Sequence, residues 1–134
     1  MSGMSTDGYE ILDRIGQGSF GIVSKVRRKI DRAVLCWKEI NFGKMSEKEK
    51  SQLVSEVNII RELRNPFIVR YHDRILHKAT TRLFIVMEYC PSGDLAGLIK
   101  KARRDRTYVD EGFVWKILAQ CTLALKECHR RTEN

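Results

Sequence analysis

IGQGSFGIV, residues 15–23, carries Gly16, Gly18 and Gly21 in the spacing G-x-G-x-x-G. That spacing occurs in two unrelated kinds of nucleotide site: a turn between a strand and a helix that cradles a dinucleotide, and the bend of a hairpin between two strands. The glycines alone do not separate the two; their flanks do. After Gly21 the chain reads Ile22-Val23-Ser24-Lys25-Val26-Arg27, β-branched and alternating apolar with polar, which predicts a strand. Upstream, Tyr9 to Ile15 also reads as a strand. The glycines therefore fall at the bend of a β-hairpin, and the strand-to-helix order of a dinucleotide site is disfavoured.

Working outward, a third strand is expected over Ala33–Ile40 after an Ile30-Asp31-Arg32 turn. Ser46 and Glu49 make an S-x-x-E capping box that opens a helix running to about Arg64, with Asn65-Pro66 as its stop. Strands follow over Ile68–Leu76 and Arg82–Glu88, then a Pro91-Ser92-Gly93-Asp94 turn and a short helix over Leu95–Arg103. A last helix starts near Asp110, with Val114, Ile117, Leu118, Cys121, Leu125 and Cys128 along one stripe.

Composition is that of an ordinary globular chain, 43% apolar and 31% charged, and 134 residues suffice for one modest core. A formal charge of +8, from 25 basic and 17 acidic residues, fits nucleic acid, an anionic surface or plain solubility. The clusters Lys25-Arg27-Arg28-Lys29 and Lys100-Lys101-Arg103-Arg104-Arg106 lack interleaved aromatics, so solvated faces are favoured and no nucleic acid is expected. Four cysteines form no C-x-x-C pair, and Cys121 and Cys128 sit seven apart on one helical face as core residues would. Metal binding is not expected, and a reducing, intracellular compartment fits. MSGMSTDGYE at the start has no signal-peptide core, and no apolar run reaches membrane-spanning length, so no membrane association is expected.

Two charges stand out against apolar patterns. Glu56 lies within a helical face of Leu53, Val57, Ile60 and Leu63, and Lys38 shares a sheet face with Val34 and Cys36. An unpaired carboxylate there is costly to bury, so one buried Lys38–Glu56 pair is expected; the alternatives are a lysine that snorkels to water and a carboxylate at the edge of the stripe.

The glycine hairpin, Lys38 in the V-L-C-W-K strand and Glu56 in the following helix together resemble the amino-terminal lobe of a protein kinase. W-K-E at 37–39, M-E-Y-C at 87–90, G-D-L at 93–95 and the closing A-L-K-E-C-H-R-R are similar to NIMA-related serine/threonine kinases, a family acting in mitosis, the cell cycle, centrosomes and cilia. The resemblance implies an α+β fold: a five-stranded antiparallel sheet plus one helix, then two helices of an incomplete carboxy-terminal lobe. Its parts would be a flexible terminus over 1–8, amino-terminal lobe and hinge over 9–90, and the start of the carboxy-terminal lobe over 91–134.

It also implies ATP as cofactor, with Ile15, Gly16, Gly18, Ser19 and Gly21 covering it and Lys38 on the α- and β-phosphates, held by Glu56. Val23 and Cys36 would floor the adenine pocket, a thiol standing where the family has alanine. Met87 would guard its back, the backbones of Glu88 and Cys90 would bond adenine, and Asp94 would lie near the ribose.

Neither the H-R-D-L-x-x-x-N loop nor the D-F-G that supply a kinase's catalytic Asp and magnesium ligands occurs here; His129-Arg130-Arg131 has Arg where Asp is required. ECHRRTEN reads as helix end and connector. The expectation is therefore part of a longer active kinase that phosphorylates proteins with ATP and magnesium, inactive by itself and self-associating through its exposed apolar helix stripe. The competing reading is a non-catalytic truncated lobe that binds nucleotide or partners. Cytoplasmic, centrosomal or nuclear localisation is implied by the family alone.

Overall fold

Alternating apolar and polar residues become five strands, and capped segments become helices, in a computed structural model that describes residues 5–18 and 21–132. A short turn of 3-10 helix, Thr6–Gly8, leads into β1 (Tyr9–Gly18), β2 (Gly21–Arg28), β3 (Val34–Asn41), α1 (Glu47–Glu62), β4 (Tyr71–His77), β5 (Arg82–Glu88), α2 (Leu95–Asp105) and α3 (Glu111–Thr132). The strands form one antiparallel sheet in the order β1-β2-β3-β5-β4. The chain divides into two units, the first made of residues up to Leu63 with Val69–Tyr89, the second of Arg64–Ile68 with the residues from Cys90 onward.

The sheet of the first unit buries apolar residues on both faces. One face gathers Tyr9, Val26, Leu35, Trp37, Ile75, Phe84 and Val86. Here the Trp37 ring lies 5.6 Å from that of Tyr9 and 4.8 Å from that of Phe84, both tilted, which adds about 0.5–1.5 kcal/mol per pair to simple burial. The Trp37 indole N–H is buried with no hydrogen-bond partner among the described residues. The other face gathers Ile40, Leu83 and Ile85 around Val57 of α1. Each such aliphatic side chain contributes about 1.5–3 kcal/mol on burial, which is what docks the helix.

α1 starts where the sequence requires. Ser46 accepts a hydrogen bond from the Glu49 amide at 3.3 Å, and Glu49 Oε2 accepts one from the Ser46 amide at 2.7 Å, a reciprocal cap. Its end comes earlier than expected: Leu63 is already extended (φ −73°, ψ 128°) and is buried instead of continuing the helix. β4 likewise begins at Tyr71 and not Ile68, because Asn65 turns the chain, its side chain accepting from the Phe67 amide at 2.9 Å and its carbonyl from the Ile68 amide at 3.1 Å.

In the second unit Asp110 caps α3, its carboxylate accepting from the Phe113 amide at 3.1 Å. The expected core stripe on α3 is not a core among the described residues: Val114, Leu118 and Leu125 are more than half exposed, Cys121 is exposed and Cys128 only partly covered. Helical spacing aligned these side chains, but most of the stripe stays exposed, with Ile117 and Cys128 only partly covered.

The β2–β3 turn is tied by charge. The Arg28 guanidinium grips both oxygens of Asp31 (2.6 and 3.0 Å), and Asp31 also accepts from the Ala33 amide at 3.1 Å while Arg32 turns at φ 58°. The Arg28 bond is the largest cause that holds the Asp31 carboxyl down from 3.8 to about 2. A carboxylate with a depressed pKa stabilises fully above its ordinary value and progressively less as pH falls toward the depressed one. The Asp31 carboxyl carbon should therefore titrate by NMR with a midpoint near 2, and Asp31→Asn should flatten the loss of thermal stability between 3.8 and that point; a midpoint at 3.8 would show that the bidentate contact is absent in solution.

Candidate functional site

β1 and β2 meet at the glycines, in the register Gly16↔Val23, Gln17↔Ile22 and Gly18↔Gly21. Ser19 lies outside the described residues. The three glycines are there for different reasons. A Cβ at Gly21 would stand 2.0 Å from the Glu39 carbonyl oxygen and 3.0 Å from its carbon, so β2 can pass β3 at this point only without a side chain. A Cβ at Gly16 would meet Val23 Cβ at an ordinary 3.8 Å, and one at Gly18 would meet no described atom within 4 Å. Neither of these two has a positive φ, so the described residues place no demand for glycine at either position. Ile15, beside them, is 45% exposed.

Strand register assembles the next set of residues. Val23 pairs with Lys38, Lys38 with Ile85, and Cys36 with Met87, which puts Val23, Cys36, Lys38 and Met87 on a single sheet face, the one α1 covers in part. Cys36 is buried and its thiol donates to the Glu88 carbonyl at 3.3 Å. Glu88 is doubly tied to Arg70: its amide donates to the Arg70 carbonyl at 2.8 Å and its carboxylate accepts from the Arg70 amide at 3.1 Å. Lys25, on the same face, holds its ammonium 4.8 Å from the centre of the Tyr89 ring, a cation–π contact. Arg70 and Lys25 carry no motif signal, since one acts through its backbone and the other through an aromatic partner sixty-four residues on.

The expected Lys38–Glu56 pair is not formed. Glu56 is exposed, Lys38 is half-buried, and among the described residues no ion pair joins them. The helix docks through Leu53 and Val57, whereas Ile60 is 39% exposed and Leu63 is buried only after the helix has ended, so the buried stripe is narrower than its sequence pattern. One residue is a turn of about 100° around the helix axis, and that step carries Glu56 off the stripe centred on Val57. The carboxylate thereby stays hydrated and avoids the penalty that burying an ion would bring.

In the second unit, considered by itself, Cys90 is exposed and Asp94 caps α2, accepting from the Gly97 amide at 2.8 Å after Gly93 turns at φ +83°. His129-Arg130-Arg131 are the last turn of α3, where both arginines bind Glu127 and pull its carboxyl below its ordinary range, the Arg130 bond being the largest cause. Their helical state agrees with the reading of this stretch as helix end; Glu133 and Asn134 lie outside the described residues. No group of His, Cys, Asp and Glu among the described residues is placed to hold a metal ion.

Comparison with known proteins brings in a family at this point. Residues 9–132 match the protein kinase domain. The chain is 56% identical over 125 residues to the human serine/threonine-protein kinase Nek2, covering 93% of this chain and 28% of that protein. It is 54% identical over 127 residues to the probable serine/threonine-protein kinase nek2 of Dictyostelium discoideum, covering 95% of this chain and 30% of that protein. Against the G2-specific protein kinase nimA of Emericella nidulans it is 51% identical over 127 residues, 95% of this chain and 18% of that protein. The chain thus spans less than a third of the length of these relatives.

The glycines give a sharp test of the hairpin geometry. Gly21→Ala should lower stability by at least about 1–3 kcal/mol in urea unfolding, because backbone of β3 must move to admit the methyl group. Gly18→Ala should be neutral or stabilising by up to about 1 kcal/mol, since its backbone is one that alanine adopts. Equal losses at both positions would refute the close approach of β2 to Glu39.

Proposed function

Because the chain belongs to the protein kinase family, and within it to the NIMA-related kinases, we propose that the glycine hairpin and the Val23–Cys36–Lys38–Met87 face hold ATP. The observation that carries this reading is the pair Gly16 and Gly18. Among the described residues, packing and backbone angles leave room for side chains there, so their absence is best explained by something outside the fold that must come close to the backbone. ATP phosphates fit that requirement, with the Lys38 ammonium in reach along the same face to neutralise them. Ile15, Val23, Cys36 and Met87 supply the apolar lining for a purine. The Glu88 and Cys90 backbones would bond its edge, and the Arg70 ties would keep Glu88 in position for that. Ser19 would join the phosphate lid, and Asp94 would approach the ribose.

Phosphoryl transfer from ATP to serine and threonine of protein substrates is proposed for the whole protein, with magnesium supplying charge neutralisation when bound. These 134 residues contain neither H-R-D nor D-F-G, so we assign them nucleotide holding without transfer. Glu56, exposed in this structure, would hold Lys38 only after α1 rotates or moves toward the sheet. No helix among the described residues is long and apolar enough to cross a membrane. An intracellular setting is proposed from the kinship with the NIMA-related kinases, and four free thiols agree with a reducing compartment.

Titrating the chain with a fluorescent ATP analogue should show saturable binding that unlabelled ATP displaces. Lys38→Met should weaken it about tenfold or more, a loss of one charge-assisted contact of about 1.5–3 kcal/mol. Its fold should survive, because Lys38 has no buried partner to strand. Unchanged affinity in Lys38→Met would reduce the hairpin to a structural element, and transfer of labelled phosphate to a protein substrate by this chain alone would refute the assignment of holding without transfer.

A second expectation concerns α3. With Val114, Leu118 and Leu125 at 52%, 55% and 56% exposure, the chain should raise the fluorescence of a hydrophobic dye and self-associate with increasing concentration. Leu118→Glu should suppress both; a dye-silent, monomeric wild-type chain would contradict the proposal.

A further inference from the structure

The basic cluster at the end of α2 has no part in the proposed nucleotide site. Lys100, Lys101, Arg103, Arg104 and Arg106 are all exposed. Arg104 meets Asp105 at 3.2 Å with its own side chain 74% exposed, which makes a weak surface pair. The other four cations have no ion-pair partner among the described residues.

Thr107 follows this cluster directly. Arg103, Arg104 and Arg106 stand four, three and one residues before it, and among the serines and threonines of the sequence it alone has an arginine three residues upstream. Its side chain is exposed, and its hydroxyl has no hydrogen-bond partner among the described residues. Residues 107–110 form neither helix nor strand, and the neighbouring Tyr108 is 99% exposed. An enzyme can therefore reach the hydroxyl without displacing any packed side chain.

The turn before Thr107 is one that opens readily. Arg106 ends α2 in the left-handed region, φ 52° and ψ 41°, which residues with a side chain adopt at a cost. Two backbone bonds hold it: the Arg106 amide donates to the Arg103 carbonyl at 3.3 Å, and the Thr107 amide to the Ala102 carbonyl at 2.9 Å. Both belong to the last turn of a helix, the part that frays first, and extending it relieves the disfavoured Arg106 geometry. An extended run from Arg103 to Thr107 then fits a cleft.

We propose that Thr107 is a phosphorylation site for an arginine-directed protein kinase, one whose substrate groove is lined with carboxylates. Arg103 and Arg104 meet those carboxylates and set the register. The Thr107 hydroxyl oxygen attacks the γ-phosphorus of the ATP carried by that kinase. The new O–P bond forms as the bond to the β,γ-bridging oxygen breaks, ADP leaves, and the hydroxyl proton passes to the kinase's catalytic carboxylate. The phosphate brings about −1.5 to −2 charges at pH 7, so the modification offsets much of the charge of the three arginines at this end of α2. The site lies wholly within the second unit and does not depend on the ATP reading.

The test incubates the native 134-residue chain with a purified arginine-directed serine/threonine kinase and γ-labelled ATP, then maps the label by mass spectrometry. One phosphate is expected, on Thr107. Thr107→Ala should abolish it and Thr107→Ser should retain it, while Arg104→Gln should slow labelling about tenfold or more with an unchanged circular dichroism spectrum. Label that persists in Thr107→Ala, or that maps to Ser51, Thr132 or Tyr108 instead, would overturn the proposal. So would an unchanged rate in Arg104→Gln, labelling that occurs without the added kinase, or labelling of Thr107 only after the chain has been unfolded.

Discussion

β2 lies against β3 because residue 21 has no side chain. The Glu39 carbonyl occupies the space a Cβ would need, 2.0 Å from where that atom would stand, so the seating of the hairpin depends on this single glycine. Everything proposed for the site follows from that contact. It allows the register that pairs Val23 with Lys38, and through Lys38 and Cys36 the same alignment passes to Ile85 and Met87 on β5. Glu39 is itself anchored on the far side, its carboxylate paired with Arg82 of β5, so the obstructing carbonyl belongs to a residue held from two directions.

The two faces of the sheet carry out different tasks. One is closed by aromatic stacking around Trp37, and the charges the register places on it, Arg28, Glu39 and Arg82, are already engaged in the Arg28–Asp31 and Arg82–Glu39 pairs. The other is closed only in part, by Leu53 and Val57 of α1, and leaves Lys38 half-buried beside apolar Val23 and Cys36. A lysine in that position is pre-placed for an anion without having been fully stripped of water, which keeps its desolvation cost low. Because α1 rests on few buried side chains, with Val57 the one helical residue fully buried, its hold on the sheet is modest.

Strand order, the helix cap and the hairpin bend were legible because each is a local signal: alternation in 22–27, the Ser46/Glu49 box, the glycine spacing. β5 falls on Arg82–Glu88 as expected, and β1 extends to the glycines themselves. Three readings went astray where periodicity was asked to report on tertiary packing. Glu56 sits one step off the docked stripe, a difference of about 100° that a four-residue apolar pattern does not resolve. Cys121 and Cys128 share a helical face as expected, yet Cys121 is exposed and Cys128 only partly covered. β4 lost its first residues to the Asn65 turn, because an Asx side chain competing for the Phe67 amide leaves no mark in an apolar run. The Arg70–Glu88 ties join residues too far apart in sequence for any motif to reveal.

Side-chain signals report which face a nucleotide occupies. With the Val23 and Met87 methyls and the Trp37 indole N–H assigned by NMR, addition of ATP should shift the two methyl signals in a saturable way and leave the indole unmoved, since Trp37 lies on the opposite face. Saturable shifts confined to Trp37 and its aromatic neighbours, or no shift at Val23 and Met87 at saturating ATP, would contradict the assignment of this face as the ATP site.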